Sequence, residues 1–409
     1  VESSLHINPQ RLQASIEAYA QIGATPGGGV TRLALTDADR AARDRLQAEL
    51  EAIGCPVVVD DLGNMTGTLA GREDSPPVRI ASHLDSVVRG GRFDGALGVL
   101  AGLEVLRTIR DARLAPRRSI ALTNWTNEEG ARFEPAMIGS GAALGEFDSA
   151  WMHDRRDPDG VRLGNELGWI GYLGEPQHRP TTGTACLELH IEQGPVLDVA
   201  EVPVGIVEGI VGITWIDVTV TGESAHAGPT PMGSRHDALA AAAELVTAAI
   251  DLGRQGGPPR AATVGRLDVS PNVINTIPSV VRLSVDFRAS DLTELDAMVE
   301  ALRDAANRIA AAKGVAIAVD RFWTSTPVSF DPSVIAQITR ACGHLKVEPL
   351  RLWSGAGHDS RYTANVMPTG MIFVRSRGGV SHCEAEYSDP DDIALGANLL
   401  LQTALALAT

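Results

Sequence analysis

The sequence predicts an α/β protein whose main domain is discontinuous and carries an inserted ferredoxin-like domain. Three observations predict it: an early β-α-β rhythm, a change to β-α-β-β-α-β past residue 210, and renewed helix and strand alternation after Pro327. Residues 38–53 hold apolar positions at helical spacing, and Gly54 follows as a C-terminal stop. Val57–Val59, Val78–Ser82 and Ser119–Trp125 are short β-rich runs, and the last two flank a helical stretch from Ala96 to Ile109. Next come a strand Thr214–Thr221, a helix Asp237–Leu252, strands Ala262–Val269 and Val280–Arg288, a helix Leu292–Ala312 and a strand Val315–Val319. That order closes on itself as a unit of about a hundred residues. Finally, Ser333–Leu345 reads as a helix, Met371–Val374 as a strand and Asp392–Ala408 as a closing amphipathic helix. The expected division is a main domain of residues 1–210 and 328–409, with 211–327 as the insertion.

A length of 409 residues favours two domains over one. Hydrophobic content of 44% with 21% charged residues describes a folded globular chain rather than a disordered one. The net charge of −16 argues against a nucleic-acid partner or an anionic membrane surface, since both require a basic patch. Cys55, Cys186, Cys342 and Cys383 are far apart and form no C-x-x-C pair, so neither a disulfide framework nor a thiolate zinc site is expected. The first residues lack a basic start and apolar stretch, and no apolar run reaches membrane-spanning length. A reducing cytoplasm is the expected compartment.

His83, Asp94, Glu129, His190 and His382, with Glu128 beside the third, have the composition of one metal site. Imidazoles and carboxylates around a divalent metal, with one acid left to move protons, are what a metal-assisted hydrolase needs. His83 and Asp85 lie where a buried strand runs out, and in extended backbone both leave on one face, so Asp85 is expected to hydrogen-bond the imidazole. Asp94 sits in a glycine-flanked turn, Gly90-Gly91-Arg92-Phe93-Asp94-Gly95. Glu128 and Glu129 follow an apolar strand, and extended geometry would send one carboxylate to a metal and the other to substrate. A solvated acidic turn is the alternative. His190 lies in an alternating run, Leu187 to Gln193, where a lone His is more often structural, and Ser381-His382-Cys383-Glu384 shares that ambiguity.

The insertion adds His226, in a rigid turn, with Asn275 and Arg288 flanking a strand. Arg288 could grip a carboxylate bidentately, or form a surface salt bridge with Asp286. Gly355-Ala356-Gly357 could present backbone amides to an anion, although a short glycine loop is a weak signal.

The strings SHLDS, GGRFDGALGVLAGLEVL, NWTNEEGARF, LELHIEQGPVLD, ESAHAGPTPM, PNVINTIP, VDFR, SGAGHDS and MIFVRSRGGVSH run in order across nearly the whole chain. Together they resemble the hydantoinase/carbamoylase family of dinuclear-metal amidohydrolases, which includes N-carbamoyl-L-amino-acid hydrolases, β-ureidopropionases and allantoate amidohydrolases. The resemblance implies two divalent ions (zinc, manganese, cobalt or nickel), with His83 and His382 on different ions and Asp94 bridging them. Glu129 and His190 would complete the two shells. It also implies Glu128 as general base acting with a metal-held hydroxide, and Gln193, His226, Asn275 and Arg288 as substrate contacts. Gly357 is expected beside them. His226 would reach a partner subunit's site through a homodimer formed by the insertion, which would act as a lid.

The implied substrate is an N-carbamoyl or ureido carboxylate. Related peptidases and aminoacylases usually carry an acidic ligand where this chain has His190, so a peptide substrate ranks lower. SVVRGGRFDG and MIFVRSRGGVSH look like L-carbamoylases, whereas NWTNEEGARFEPAMIGSG and HAGPTPM are similar to bacterial β-ureidopropionases. Phe93 and Asn127 depart from the allantoate pattern, and Cys383 stands where members often carry Asn or Ser. The expected activity is hydrolysis of N-carbamoyl-L-amino acids, with N-carbamoyl-β-alanine and then allantoate as alternatives.

Overall fold

The computed structural model describes residues 5–409. Its strands, numbered along the chain, are β1 (Val57–Val59), β2 (Met65–Leu69), β3 (Val78–His83), β4 (Ile120–Trp125), β5 (Ala185–Ile191), β6 (Val204–Ile210), β7 (Gly212–Thr221), β8 (Ala225–His226), β9 (Ala261–Ser270), β10 (Thr276–Ile277), β11 (Val280–Ala289), β12 (Ala316–Ser325), β13 (Val328–Ser329), β14 (Leu350–Ser354) and β15 (Thr369–Val374). The fold is mixed α/β. Two compact units emerge, one of Val1–Glu208, Ser329–Leu352 and Ala356–Thr409, the other of Gly209–Val328 with Trp353–Gly355. The sequence reading did not separate Trp353–Gly355 from the main domain.

The first unit is built on a nine-stranded sheet in the order β1-β2-β4-β3-β5-β15-β6-β13, with β14 paired to β6. Its centre is parallel: β3 runs with β4 and with β5, and β5 runs with β15. Every residue of β3, β4, β5 and β15 is buried, which is the signature of parallel strands covered on both faces. The alternation in the β5 sequence therefore does not mark a solvent-facing side, and Glu188 and His190 are interior polar residues. Helix Ala96–Asp111 buries residues all round, while helix Asp37–Ala52 is started by Thr36, whose hydroxyl accepts from the Asp39 N–H.

In the second unit the strand–helix–strand–strand–helix–strand order forms an antiparallel sheet, β12-β7-β11-β9. Alternate residues Ile216, Val218, Val220, Val281, Leu283, Val285 and Phe287 share one buried cluster with helices Ala238–Arg254 and Leu292–Lys313. The last strand, expected to end at Val319, runs to Ser325 because Arg321 and Trp323 remain in register with β7 past a bulge. Among the described residues no helix is long and apolar enough to cross a membrane.

Candidate metal centre

Parallel strands bring their C-terminal ends to one edge, and ligands in α/β sheets gather there. His83 is the last residue of β3, His190 is near the end of β5, and Glu128 and Glu129 follow β4. His382 lies in the loop after β15, and Asp94 precedes helix Ala96–Asp111. These residues all belong to the first unit.

The two carboxylate oxygens of Asp94 face different histidines. Oδ1 lies 3.2 Å from His190 Nε2 and 3.9 Å from His83 Nε2, whereas Oδ2 lies 3.3 Å from His382 Nε2. Two groups of three donors result, His83 with Asp94 and His190, and Asp94 with Glu129 and His382, sharing only Asp94. His83 Nδ1 donates to the Asp85 carbonyl at 3.0 Å, and His190 Nδ1 donates to the Ile191 carbonyl at 2.9 Å. A carbonyl can only accept, so both Nε2 lone pairs point at Asp94's side of the site. In this structure the Gly95 N–H reaches His190 Nε2 at 3.2 Å. Glu129 Oε2 is 3.4 Å from His382 Nε2, and its buried Oε1 has no hydrogen-bond partner among the described residues. Glu128 Oε2 stands 3.5 Å from His83 Nε2.

Electrostatically the site is crowded with acids. Burial, together with Asp359, Glu129, Asp85 and Asp94, pushes the Glu128 carboxyl well up, and burial with Asp94 and Asp85 does the same to Glu129. Burial lowers His83 to about 4, so that imidazole is neutral, the ligating form. Asp94 instead raises His190, to about 9, and His382, the response of imidazoles facing a carboxylate that a cation would otherwise offset. Buried crowded carboxylates, a neutral His83 and an unpartnered acid oxygen together fit a divalent metal.

Asp85 does hydrogen-bond the His83 imidazole as the sequence suggested, but through its backbone carbonyl rather than its side chain. Its carboxylate is 3.7 Å from His83 Nδ1, and instead it accepts the backbone N–H groups of Glu128 and Glu129, both at 3.2 Å. The strand ends at His83, so the same-face rule of extended backbone stops there. Likewise Glu128 and Glu129 are not extended: Asn127 is left-handed at φ 56, and its side chain accepts from Phe133 N–H and donates to the Phe133 carbonyl. The acids diverge because this turn and Asp85 aim them.

Glu386 was missed. Its Oε1 accepts the N–H groups of Phe93 and Asp94 at 3.0 and 3.1 Å, and its Oε2 accepts from Ser381, whose hydroxyl also donates to Asp94. Burial and Asp94 raise it to about 7. The only signal in the sequence was an acid four residues after His382. Glu188, held by Ser82 and Ser360, and His358 form a further donor group with His190.

Gly95 has φ +61, and a Cβ there would meet the His83 ring at 2.2 Å. Gly95→Ala is therefore expected to destabilise the metal-free protein by about 2 kcal/mol or more, read from urea denaturation. An unchanged midpoint would place the His83 ring elsewhere.

Gln193, itself left-handed at φ 59, donates to Asp94 Oδ2 at 2.8 Å and so belongs to the same cluster. Gly357 lies in the loop after β14, against the Met137 side chain. The remaining predicted residues are in the second unit. His226 pairs with Thr276 in the β8–β10 ladder, and Asn275 accepts the Ala227 N–H at 3.0 Å, so these two are neighbours. Arg288 makes the ion pair with Asp286 that the sequence left as an alternative.

Residues 80–406 match the peptidase family M20/M25/M40, and the chain belongs to that family. An N-carbamoyl-L-amino-acid amidohydrolase of Rhizobium meliloti is 39% identical over 98% of this chain and 97% of its own. An N-carbamoyl-L-amino acid amidohydrolase of Geobacillus stearothermophilus is also 39% identical, over 98% and 99%. The crystal structure of an amidase of the hydantoinase/carbamoylase family from Burkholderia multivorans superposes with a TM-score of 0.95 at 44% identity, covering 99% of both chains.

Proposed function

We propose that the chain is a metal-dependent amidohydrolase that cleaves N-carbamoyl-L-amino acids to the amino acid, ammonia and carbon dioxide. The observation that carries this reading is Asp94, whose two oxygens address separate histidine groups. Near full-length likeness to relatives named as carbamoyl-amino-acid amidohydrolases supports the substrate class.

His83, Asp94 and His190 would hold one divalent ion and Asp94, Glu129 and His382 a second, with zinc, manganese, cobalt and nickel all suited to this donor set. Such ions, when bound, polarise a carbonyl oxygen and make water acidic near neutral pH. Glu128 takes the proton of the attacking water and returns it to the nitrogen of the leaving amine. Water adds to the carbamoyl carbon and the bond to the amino-acid nitrogen breaks, leaving carbamate, which decomposes to ammonia and carbon dioxide. Arg288 and Asn275 hold the substrate carboxylate, with Gln193 and the Gly357 backbone as further contacts. His226 donates to the developing oxyanion, supplied by the partner in a homodimer that the ferredoxin-like second unit would form.

Ammonia release by the metal-reconstituted protein from N-carbamoyl-L-methionine, N-carbamoyl-β-alanine and allantoate, with a chelator control, tests the assignment. Chelator-sensitive release is expected to be fastest with the first. Preference for either of the others reassigns the substrate, and silence on all three with metal bound sinks the carbamoyl reading.

A further inference from the structure

We propose that Asp286, braced by the Trp215 indole, is a positioning residue that fixes the Arg288 guanidinium for the substrate carboxylate. This rests on the reading of Arg288 given above. Asp286 and Arg288 are two residues apart on β11 and so share a sheet face, and Trp215 lies directly across from Asp286 on β7. The Asp286 carboxylate accepts from Arg288 Nε at 3.0 Å and from Nη2 at 3.1 Å, a side-on fork. Its Oδ2 also accepts the Trp215 indole N–H at 2.9 Å. On the far side, Arg288 Nη1 donates to the Gly355 carbonyl at 2.7 Å.

An exposed ion pair needs none of this. Surface pairs are weak because two long side chains must be held in one geometry against solvent. Here the carboxylate is held in turn by a rigid ring. Trp215 packs on Trp323, its cross-strand neighbour, with ring centroids 4.5 Å apart, and Phe322 lies at 6.2 Å. The aromatic cluster would otherwise be an unexplained set of half-exposed rings on a solvent-facing strand surface. It anchors the indole N–H, the indole orients the carboxylate, and the carboxylate orients the guanidinium.

The arrangement also selects how a ligand is met. A guanidinium has five N–H donors. Three are taken, on Nε, Nη2 and Nη1, which leaves two at the Nη1 and Nη2 tips for an incoming carboxylate. Asp286 blocks the Nε edge, so the substrate carboxylate is gripped end-on. Holding the flexible side chain in advance matters more than the partial neutralisation that Asp286 brings, because ordering an arginine is a large part of what carboxylate binding costs.

The test is a double-mutant cycle on the metal-loaded enzyme with Asp286→Asn, Arg288→Gln and both together, plus Trp215→Phe. Each is assayed on an N-carbamoyl-L-amino acid and on its C-terminal carboxamide. Asp286→Asn is expected to raise KM for the acid about 10-fold or more with kcat little changed, and to move the carboxamide far less. Trp215→Phe, which keeps the ring and removes the donor, should give about a 3-fold rise of the same kind. The double variant should be no worse than Arg288→Gln alone, since Asp286 acts through Arg288. Additive losses, equal losses on acid and carboxamide, or an unchanged or lower KM in Asp286→Asn overturn the positioning role. If Arg288→Gln itself leaves the preference for the acid intact, the carboxylate-binding reading of Arg288 falls, and this inference with it.

Discussion

Replacing Glu128 by Gln is expected to lower kcat by about a hundred- to ten-thousand-fold while leaving metal content and folding intact. Glu128 belongs to neither of the donor groups that share Asp94, so the isosteric amide should not disturb metal retention. Its place in the site is set by its backbone N–H, which Asp85 accepts at 3.2 Å whatever the side chain. The carboxylate itself is buried among Asp359, Glu129, Asp85 and Asp94, which burial and mutual repulsion disfavour. Neutral Gln removes that repulsion, so the thermal midpoint of the metal-free variant should be no lower than that of the parent. Steady-state kinetics with elemental analysis check both halves. Full turnover in the variant would end the case for Glu128 as the proton carrier.

Asp94→Ala should be at least as damaging, and in a different way. Because its two oxygens serve both donor groups, one truncation leaves each group with two side chains, below what a stable divalent site keeps. Activity should fall by more than the ~100-fold that loss of an outer partner of a ligand can cost. Metal retained after dialysis should fall for both ions together. His382→Ala touches only the second group and should spare part of the metal. Elemental analysis of the two variants side by side decides it: an Asp94→Ala protein with the same metal content as His382→Ala would mean that Asp94 serves one ion only.

His83 and Glu129 stand at the ends of apolar runs that read as strands, whereas His190 lies in an alternating run that by itself favoured a structural histidine and pointed to a ligand only in company with the others. Register then did the rest, since β4, β3, β5 and β15 are parallel neighbours and end at one edge. What the sequence hid lies in the loops. Asn127, Gln193 and His382 all adopt left-handed backbone, which side chains other than glycine rarely do, so extended-chain reasoning about Glu128 and Asp85 reached the right neighbourhood through the wrong contacts. Glu386 was invisible for a related reason. It supports Asp94 by accepting two backbone N–H groups, a role fixed by loop closure over a separation of 292 and 293 residues rather than by any local pattern. In the second unit the last residues of strand β12 were not legible because Arg321, Phe322, Trp323 and Thr324 break the simple alternation at a bulge. The Asp286 and Arg288 pair was visible, but not the indole behind it.

The way the second unit is attached has its own consequence. It leaves the first unit after Glu208 and returns at Ser329, on β6 and β13, which are adjacent strands of the same sheet, and the Phe330 N–H donates to the Glu208 carbonyl at 2.9 Å. The two attachment points are therefore about one strand spacing apart, roughly 5 Å. In topological terms residues 209–328 are an overgrown hairpin loop, whose length loop-closure entropy resists only weakly, while Trp353–Gly355 join the same unit from the end of β14. That makes this joint a natural socket for module exchange, where a donor unit with closely spaced ends could be grafted so long as it also accommodates the Trp353–Gly355 segment at the end of β14.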